Sequence, residues 1–486
     1  MNVAERLGII DLGSNSCRLS IYDIGLDGTY RPVYEMKQNV RLAHNLAKSG
    51  KIPADGILRA VACTKLFVRT GKLLGVSRWV AVATAAVRQA SNRAEVLDTL
   101  LAETTLPFRV ISGKEEGRYG YLGVINTLDI SDALLFDIGG ASSELMLVRN
   151  RQLANVVSIP YGALNLREMH HHLNESAAAE EAFKTIQRAL AEIEWLKDAK
   201  GLPMVGLGGT ARAVAKLHMA QQQREQERLH GYVLDPAFID DEFAHLQTMS
   251  VAKRRKVKGI SKSRAEILVA GFAAVRAIAS NIAPPALIVS RNGLREGIFF
   301  EALLHDAEQP VLSSVLEHSV CNFQRVFDVN MNVAEIVTTT SLDLFDCLQE
   351  VHHMSERDRK LLWVTAQIEG CGCYINTEKW TKHSAYLVMS SYLYGLTSQE
   401  ILDVASLLSS QGDVRIRQLM TLLRLAKLLT LQLGLNPDEL YMRLEGQTLH
   451  VGYGWNLRET VDVSADSQVE EDFRELFGCD LKFLEQ

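Results

Sequence analysis

No apolar run in the 486-residue chain approaches the roughly 18 residues of a bilayer crossing, so no segment is expected to span a membrane. Positive charge is not in surplus either. Lys and Arg number 52 against 58 Asp and Glu, and a formal net charge of −6 argues against general nucleic-acid binding while leaving room for a local basic groove. Cysteine is sparse: seven residues, at 17, 63, 321, 347, 371, 373 and 479, make an odd number with no CxxC spacing. Reduced thiols and a cytoplasmic location are the expectation. Cys371 and Cys373 flank Gly372 without partnering histidines, so no metal clip is expected there. The N-terminus, MNVAERLGIID, is charged and runs into a strand, the pattern of a chain without a signal peptide. A Walker A lysine motif is missing, as is a candidate nucleophile with a partnered base. What remains is an ordinary globular composition, 47% apolar and 23% charged, long enough for two to four domains.

Against this background one stretch stands out, Leu134 to Val148, LLFDIGGASSELMLV. An apolar run, an aspartate, two glycines and three small residues precede Glu144 and a second apolar run, which reads as strand, tight turn and strand. Gly139 and Gly140 leave no Cβ in the way of a bound group, and amides of such a turn can converge on a phosphate oxygen. Asp137 and Glu144 would repel a bare phosphate, and make sense there if a cation such as Mg²⁺ lies between. A plain β-hairpin with glycines at its turn reads the same stretch equally well. The balance shifts with a near-repeat: IIDLGSNS (9–16) shares the frame apolar–Asp–(Leu/Ile)–Gly–x–x–Ser, which predicts two related half-domains. A third glycine turn, VGLGGT (205–210), opens a helix. Its partial match to the dinucleotide fingerprint lacks the following βαβ unit and acidic residue. Three such turns point to a phosphate-handling cleft.

Taken in order, Arg18 lies in the strand after the first turn, either a surface charge or a phosphate contact, and Arg88 lies just past the strand of WVAVATAAVRQASN (79–92). Arginine's planar fork suits paired phosphate oxygens. Residues 53–75 are expected to be helical. A helix should begin after Ser112-Gly113 with Glu115 and Glu116 in its first turn. Their bland role is to favour the helix dipole; the sharper one is that one of them takes a proton from attacking water. Residues 158–173 read as strand, loop and helix, with the histidines at 170–172 on an exposed helix because consecutive helical residues diverge. Residues 176–200 read as one amphipathic helix. The run KRRKVKGISKSR (253–264) holds seven Lys and Arg, either a solvated face or a groove for a polyanion lined by Lys253, Arg254, Arg255, Lys256 and Lys258. Boundaries are placed near 127, 305 and 431, with a helical stretch between the last two, then short strands (YMRLEGQTLHVGYGW), a polar stretch and a final helix.

At this point the segments IDLGSNSCRL (10–19), ATAAVRQASN (83–92), ISGKEEGRYGYLGV (111–124), DIGGASSE (137–144), GLGGTARAVAKL (206–217), HGYVL (230–234), GISKSRAEILVAG (259–271) and NGLREG (292–297) matter together. In this order and at these spacings the chain resembles the exopolyphosphatase/guanosine pentaphosphate phosphatase (Ppx/GppA) family of the actin-like superfamily, over residues 7–300. The resemblance implies an α/β fold of two actin-like, ribonuclease H-like domains (1–127 and 128–305). An all-α HD-like domain (306–430) and a small α+β C-terminal domain (431–486) would follow. It implies Glu116 as general base, Asp137 and Glu144 as catalytic residues holding Mg²⁺ or another divalent cation, and Arg18 and Arg88 on the terminal phosphates. Ser14, Asn15, Gly139, Gly140, Ser142, Gly208, Gly209 and Thr210 are the further phosphate contacts expected. Where the family carries a third glycine this chain has Ala141, which narrows the turn. In the helical domain KHSAYLVMSS (382–391) is similar to part of an HD phosphohydrolase. The His-Asp pair expected near 369–370 is Glu369-Gly370, however, and LLSSQG (407–412) lacks the next histidine. His383 alone cannot build that metal site, so a scaffold, dimer surface or binding wall is expected.

The resulting expectation is an exopolyphosphatase releasing terminal orthophosphate from inorganic polyphosphate by Mg²⁺-assisted attack of water between the first two domains. The alternatives are a guanosine pentaphosphate 5′-phosphohydrolase and a non-hydrolytic alarmone or nucleotide sensor. Retention of Glu116, Asp137 and Glu144 together speaks against the sensor. No nucleic-acid or membrane partner is expected, and the family leads to the expectation of a homodimer.

Overall fold

The computed structural model describes residues 3–43, 46–224, 227–409, 411–453 and 467–485, and two compact units divide the chain after Val315. In the first unit, β1 (Val3–Leu12), β2 (Ser16–Gly25) and β3 (Tyr30–Asn39) form an antiparallel meander. Strands β4 (Arg78–Ala83) and β5 (Arg109–Val110) extend it in parallel from the β1 side, giving the order β3-β2-β1-β4-β5. The second sheet repeats the plan. Strands β6 (Ala133–Ile138), β7 (Ser143–Arg149) and β8 (Gln152–Ile159) make the meander, and β9 (Met204–Leu207) continues in parallel from β6. Beyond it lie β10 (Tyr232–Leu234) and β11 (Leu287–Val289), in the order β10-β11-β9-β6-β7-β8. The near-repeat of the sequence is therefore a repeat of topology. The two actin-like sheets bury separate cores, one around Ile10, Leu19 and Phe67, the other around Leu134, Phe136 and Phe272.

Helices cover these sheets. Residues expected to be helical over 53–75 form the helix Ala54–Leu73, and the third glycine turn opens the helix Gly208–Gln221. The helix Gly113–Ile125 starts with a capping box, in which Ser112 Oγ accepts from the Glu115 amide and the Glu115 carboxylate accepts from the Ser112 amide. The helix Leu294–Leu303, late in the chain, returns to pack on it with small residues at the seam. A Cβ on Gly297 would collide with the Tyr119 backbone, and one on Gly123 with the Gly293 carbonyl. Phe299 of the same helix stacks on Tyr22 of β2, with ring centroids 4.3 Å apart. This single segment ties the helix that carries Glu116 to the first sheet.

Two local expectations need correction. Residues 176–200 are not one helix: the helix Glu175–Ala191 stops at Glu192, and Glu194–Ala199 is a separate 3-10 turn whose Leu196 and Ala199 enter the core. The histidines 170–172 lie in the turn after the helix Ala163–Met169, where His170 faces Thr185 Oγ1 at 3.3 Å.

The second unit is helical from Leu316 to the π turn Leu428–Gln432. It closes with β12 (Leu440–Glu445), β13 (Thr448–Tyr453), the helix Ser467–Phe477 and β14 (Asp480–Glu485). Leu449, Val451, Phe473 and Phe477 of this tail share a core with Leu361, Leu419 and Leu425 of the helices. The polar stretch expected between β13 and the last helix, residues 454–466, lies outside the described residues. Glu369, standing where the metal-binding pair was expected, is ion-paired with Lys427 at 3.2 Å, and that ammonium lies 4.6 Å from the Trp380 ring centre. Among the described residues no helix is long and apolar enough to cross a membrane, and all seven cysteines are free thiols.

Candidate active site

The two turns that share a sequence frame also share a geometry. In each, the first glycine donates its amide to the serine carbonyl three residues on: Gly13 to Ser16 at 3.1 Å and Gly139 to Ser142 at 3.0 Å. Each turn is also pinned from behind by the segment that follows its meander. Val40, Arg41 and Ala43 donate to the carbonyls of Asn15 and Ser14, and Ala163, Leu164 and Asn165 to those of Gly139 and Gly140. A Cβ on Gly140 would lie 3.6 Å from that of Ser14, so the turns meet face to face. They enclose a cavity of about 190 Å³ whose wall includes Ser14, Asn15, Arg18, Glu116, Asp137, Gly139, Gly140, Ser142, Gly208 and Gly209. Because the Gly139 amide closes its own turn, that residue cannot donate it to a phosphate as expected; it contributes shape.

Strand pairing sets a row of side chains from each sheet. Asp11 on β1 is opposite Arg18 on β2, which is opposite Lys37 on β3; in the second sheet Asp137 is opposite Glu144, which is opposite Ser158. Directly opposed residues share a face of a sheet. The equivalent rows thus read acid–base–base and acid–acid–serine. Gly208, at φ +71°, sits against Asp137 so closely that any Cβ would strike its carboxylate.

Of the two glutamates opening the helix Gly113–Ile125, the structure separates the roles. Glu115 serves the capping box and an ion pair with Arg109 at 2.6 Å. Glu116 reaches the cavity, with 19% of its side chain exposed. Burial pushes its carboxyl up to about 7 from an ordinary 4.5, against the pull of Arg88, whose Nη1 lies 3.1 Å from Oε2. The same Arg88 nitrogen donates to the Ile111 carbonyl at 2.8 Å. Arg88 is not among the residues that line the cavity, and its guanidinium holds the Glu116 carboxylate. Glu144 is likewise behind the wall, where its Oε1 accepts from Ser142 Oγ at 2.8 Å and Ser158 Oγ at 2.7 Å. Burial, then the charges of Glu116 and Asp137, hold its carboxyl well above the usual range. Desolvation also raises Asp11 and Asp137. Thr210 turns its hydroxyl to the Ile138 carbonyl at 3.1 Å and is absent from the wall.

Of the two readings of the basic run 253–264, the solvated face describes most of its side chains. Arg254 is fully buried (0% exposed), donating to the carbonyls of Met249 and Ala265 and ion-paired with Glu175. It is a structural anchor. Lys253, Arg255, Lys256 and Lys258 are exposed and are not part of the cavity wall. The one member of the run that is part of it is Arg264, joined by Arg212, Lys37, Arg291 and Arg295. Asp11, Lys37, Arg212, Arg291 and Arg295 are what sequence reasoning missed. The repeat itself could have found Asp11, which aligns with Asp137, and NGLREG could have found Arg295. Nothing in the local sequence distinguishes Lys37 or Arg212 from surface charges.

The donor set fits a hard divalent cation in one respect only. Carboxylates of Asp11 and Asp137 share the wall, but among the described residues no three His, Cys, Asp or Glu groups converge into a cage. Such a set suits an ion that keeps waters and substrate oxygens in its shell, as Mg²⁺ does.

Comparison with known proteins gives the family. The pattern of the Ppx/GppA phosphatase family matches residues 21–306, and that of domain III of the same phosphatases matches residues 315–435. A solved Ppx/GppA family member from Aquifex aeolicus is 28% identical, with a TM-score of 0.55 over 63% of this chain and 99% of its own. An exopolyphosphatase from Cytophaga hutchinsonii shares the fold at 23% identity and a TM-score of 0.58, over 63% of this chain and all of its own. With the first pattern alone spanning more than half of its length, the chain belongs to the Ppx/GppA phosphatase family.

Proposed function

We propose that the protein is a phosphoanhydride hydrolase that removes the terminal phosphoryl group of a linear oligophosphate in the cavity between the two glycine turns. The observation that carries this reading is Glu116: a carboxyl on the cavity wall, pushed up to about 7 and oriented by Arg88. A base works best with a pKa near the operating pH. Glu116 accepts a proton from water aimed at the terminal phosphorus, and Ser14, Asn15 and the backbone at Gly140 hold the phosphoryl oxygens. Phosphoryl transfer needs in-line positioning and charge neutralisation more than covalent help. Arg18, Arg212 and Arg264 supply fixed positive charge. A divalent cation bound by Asp137 and Asp11, with Glu144 one strand away, would neutralise further phosphoryl charge.

Inorganic polyphosphate and the triphosphate end of guanosine pentaphosphate present the same linear phosphoanhydride, and the resemblance covers both. A groove lined by the basic residues 253–258 would favour the polymer, but these residues are not part of the cavity wall. Phosphate release by purified protein with Mg²⁺ and either substrate tests the reading. Glu116→Gln should lower kcat by roughly 10²–10⁴-fold while substrate still binds; unchanged turnover would remove Glu116 as the base, and no release from either substrate would favour a sensor.

A further inference from the structure

The turn that brings Arg291 and Gly293 to the cavity has an acceptor for each of its amides. Ser290 donates to the Gly206 carbonyl at 2.9 Å, Asn292 to Ser290 Oγ at 3.1 Å and Gly293 to Glu296 Oε2 at 2.8 Å. The Arg291 amide donates to Nδ1 of His230, 3.3 Å away. The other ring nitrogen, Nε2, is 3.0 Å from the carbonyl of Thr127, just past the helix that carries Glu116. An amide only donates and a carbonyl only accepts, so the two contacts fix a neutral ring with its proton on Nε2. Next to it Gly231, at φ +74°, donates its amide to the Val289 carbonyl at 3.0 Å, which seats His230 beside the turn. The Arg291 side chain extends to β3 of the first sheet, where Nη2 lies 3.6 Å from Glu35.

Resting on the phosphohydrolase reading, we infer that His230 is a positioning residue, whose neutral ring pins the Arg291 turn to the end of the Glu116 helix. His230 is not among the residues that line the cavity, whereas Arg291 and Glu116 both are, so it acts on the reaction by fixing the spacing of those two. A protonated ring would set a second N–H against the Arg291 amide and break that half of the bridge. Desolvation guards against this: it pushes the imidazole down to about 4 from an ordinary 6.5, against the pull of the Thr127 carbonyl. Of the charged groups facing the ring, Arg228 and Arg291 act in the same direction as desolvation and Glu296 opposes it. The bridge therefore stays intact across the range in which Glu116, at about 7, gains and loses its proton.

The test uses the full-length protein and has two parts. In the first, nitrogen NMR of protein labelled with ¹⁵N-histidine, without substrate, follows the signal that disappears in His230→Asn. That ring should carry its proton on Nε2 and stay neutral from pH 8 down to pH 5; a proton on Nδ1, or charging near pH 6.5, would overturn the proposal. The second part measures phosphate release from inorganic tripolyphosphate with Mg²⁺, well below the melting transition. Asn places an oxygen where Nδ1 stands and does not reach Thr127, while Gln places a nitrogen where Nε2 stands and offers the Arg291 amide nothing, so each variant breaks one half of the bridge. Each should lower kcat/KM by about twofold to tenfold, the worth of one hydrogen bond. In an Arg291→Gln background the same substitutions should cost little more, because His230 acts through Arg291. Lower melting temperatures with unchanged kcat/KM, or losses that simply add to that of Arg291→Gln, would reduce His230 to a packing residue and overturn the proposal. If neither variant folds, the tautomer and titration of the native ring decide. No phosphate release by the native protein would overturn the phosphohydrolase reading and the positioning role with it, an outcome distinct from native turnover that is indifferent to His230.

Discussion

Glu116 and Arg88 face one electrostatic problem from opposite sides: burial favours the neutral carboxyl and the guanidinium favours the ionised one, and burial wins. The pH consequence has a definite sign. A base must be ionised, so activity should fall as pH drops through about 7. Arg88→Met removes the ionising influence and should move that acid limb to higher pH, with kcat affected more than KM; an unmoved limb would mean that another group sets it. Stability follows the linkage in the other direction. Between 4.5 and about 7 folded Glu116 keeps a proton that the unfolded chain has lost, so ionising it on the way up costs stability. The upper bound is about 3 kcal/mol at 1.36 kcal/mol per unit. Glu116→Gln should therefore melt closer to native at pH 5 and above it at pH 8, checked by thermal melts at both. At this scale the sequence located Glu116 but not its partner's role: Arg88 is 28 residues away, and only the fold shows that it holds a carboxylate.

At the scale of the element, the two glycine turns were legible because the chemistry is written into consecutive residues. Aspartate, glycine and serine at fixed offsets dictate a strand end and a closed turn, and both turns close with the same amide-to-carbonyl bond. The basic run 253–264 misled for the same reason in reverse. Adjacent charges diverge in space, so Arg254 turns inward to Glu175, its neighbours face solvent, and Arg264 alone reaches the cavity. The seam between the helices Gly113–Ile125 and Leu294–Leu303 shows what spacing cannot reveal, since its contacts join residues some 180 positions apart. Gly297→Ala forces a Cβ into the Tyr119 backbone and should cost about 1–3 kcal/mol through overpacking. Because the displaced helix carries Glu116, kcat should also drop below the melting transition. Circular dichroism melts and phosphate release, measured together, check both parts.

Across the whole molecule, residues 1–315 contain both sheets, both turns, Glu116 and every cation of the cavity wall. Relatives that align over nearly their full length cover 63% of this chain, so a protein of this kind exists without the helical unit. The fragment 1–315 is expected to melt cooperatively and to release phosphate; a fragment that stays unfolded, or folds without turnover, would assign residues 316–486 an essential part. Within that second unit Lys427 supplies a positive charge to Glu369, in a core shared with the C-terminal sheet.

The sequence by itself determined the class of fold, the duplication, the glycine turns and the carboxylates beside them, because each depends on residues near one another along the chain. Only the tertiary structure decided which charges meet. It set Arg18 against Lys37, brought Arg212 and Arg264 to the same hollow, hid Arg254 and placed Arg88 behind Glu116. Electrostatic partnership depends on distance through space and on exclusion of water, and neither quantity is carried by order along a chain.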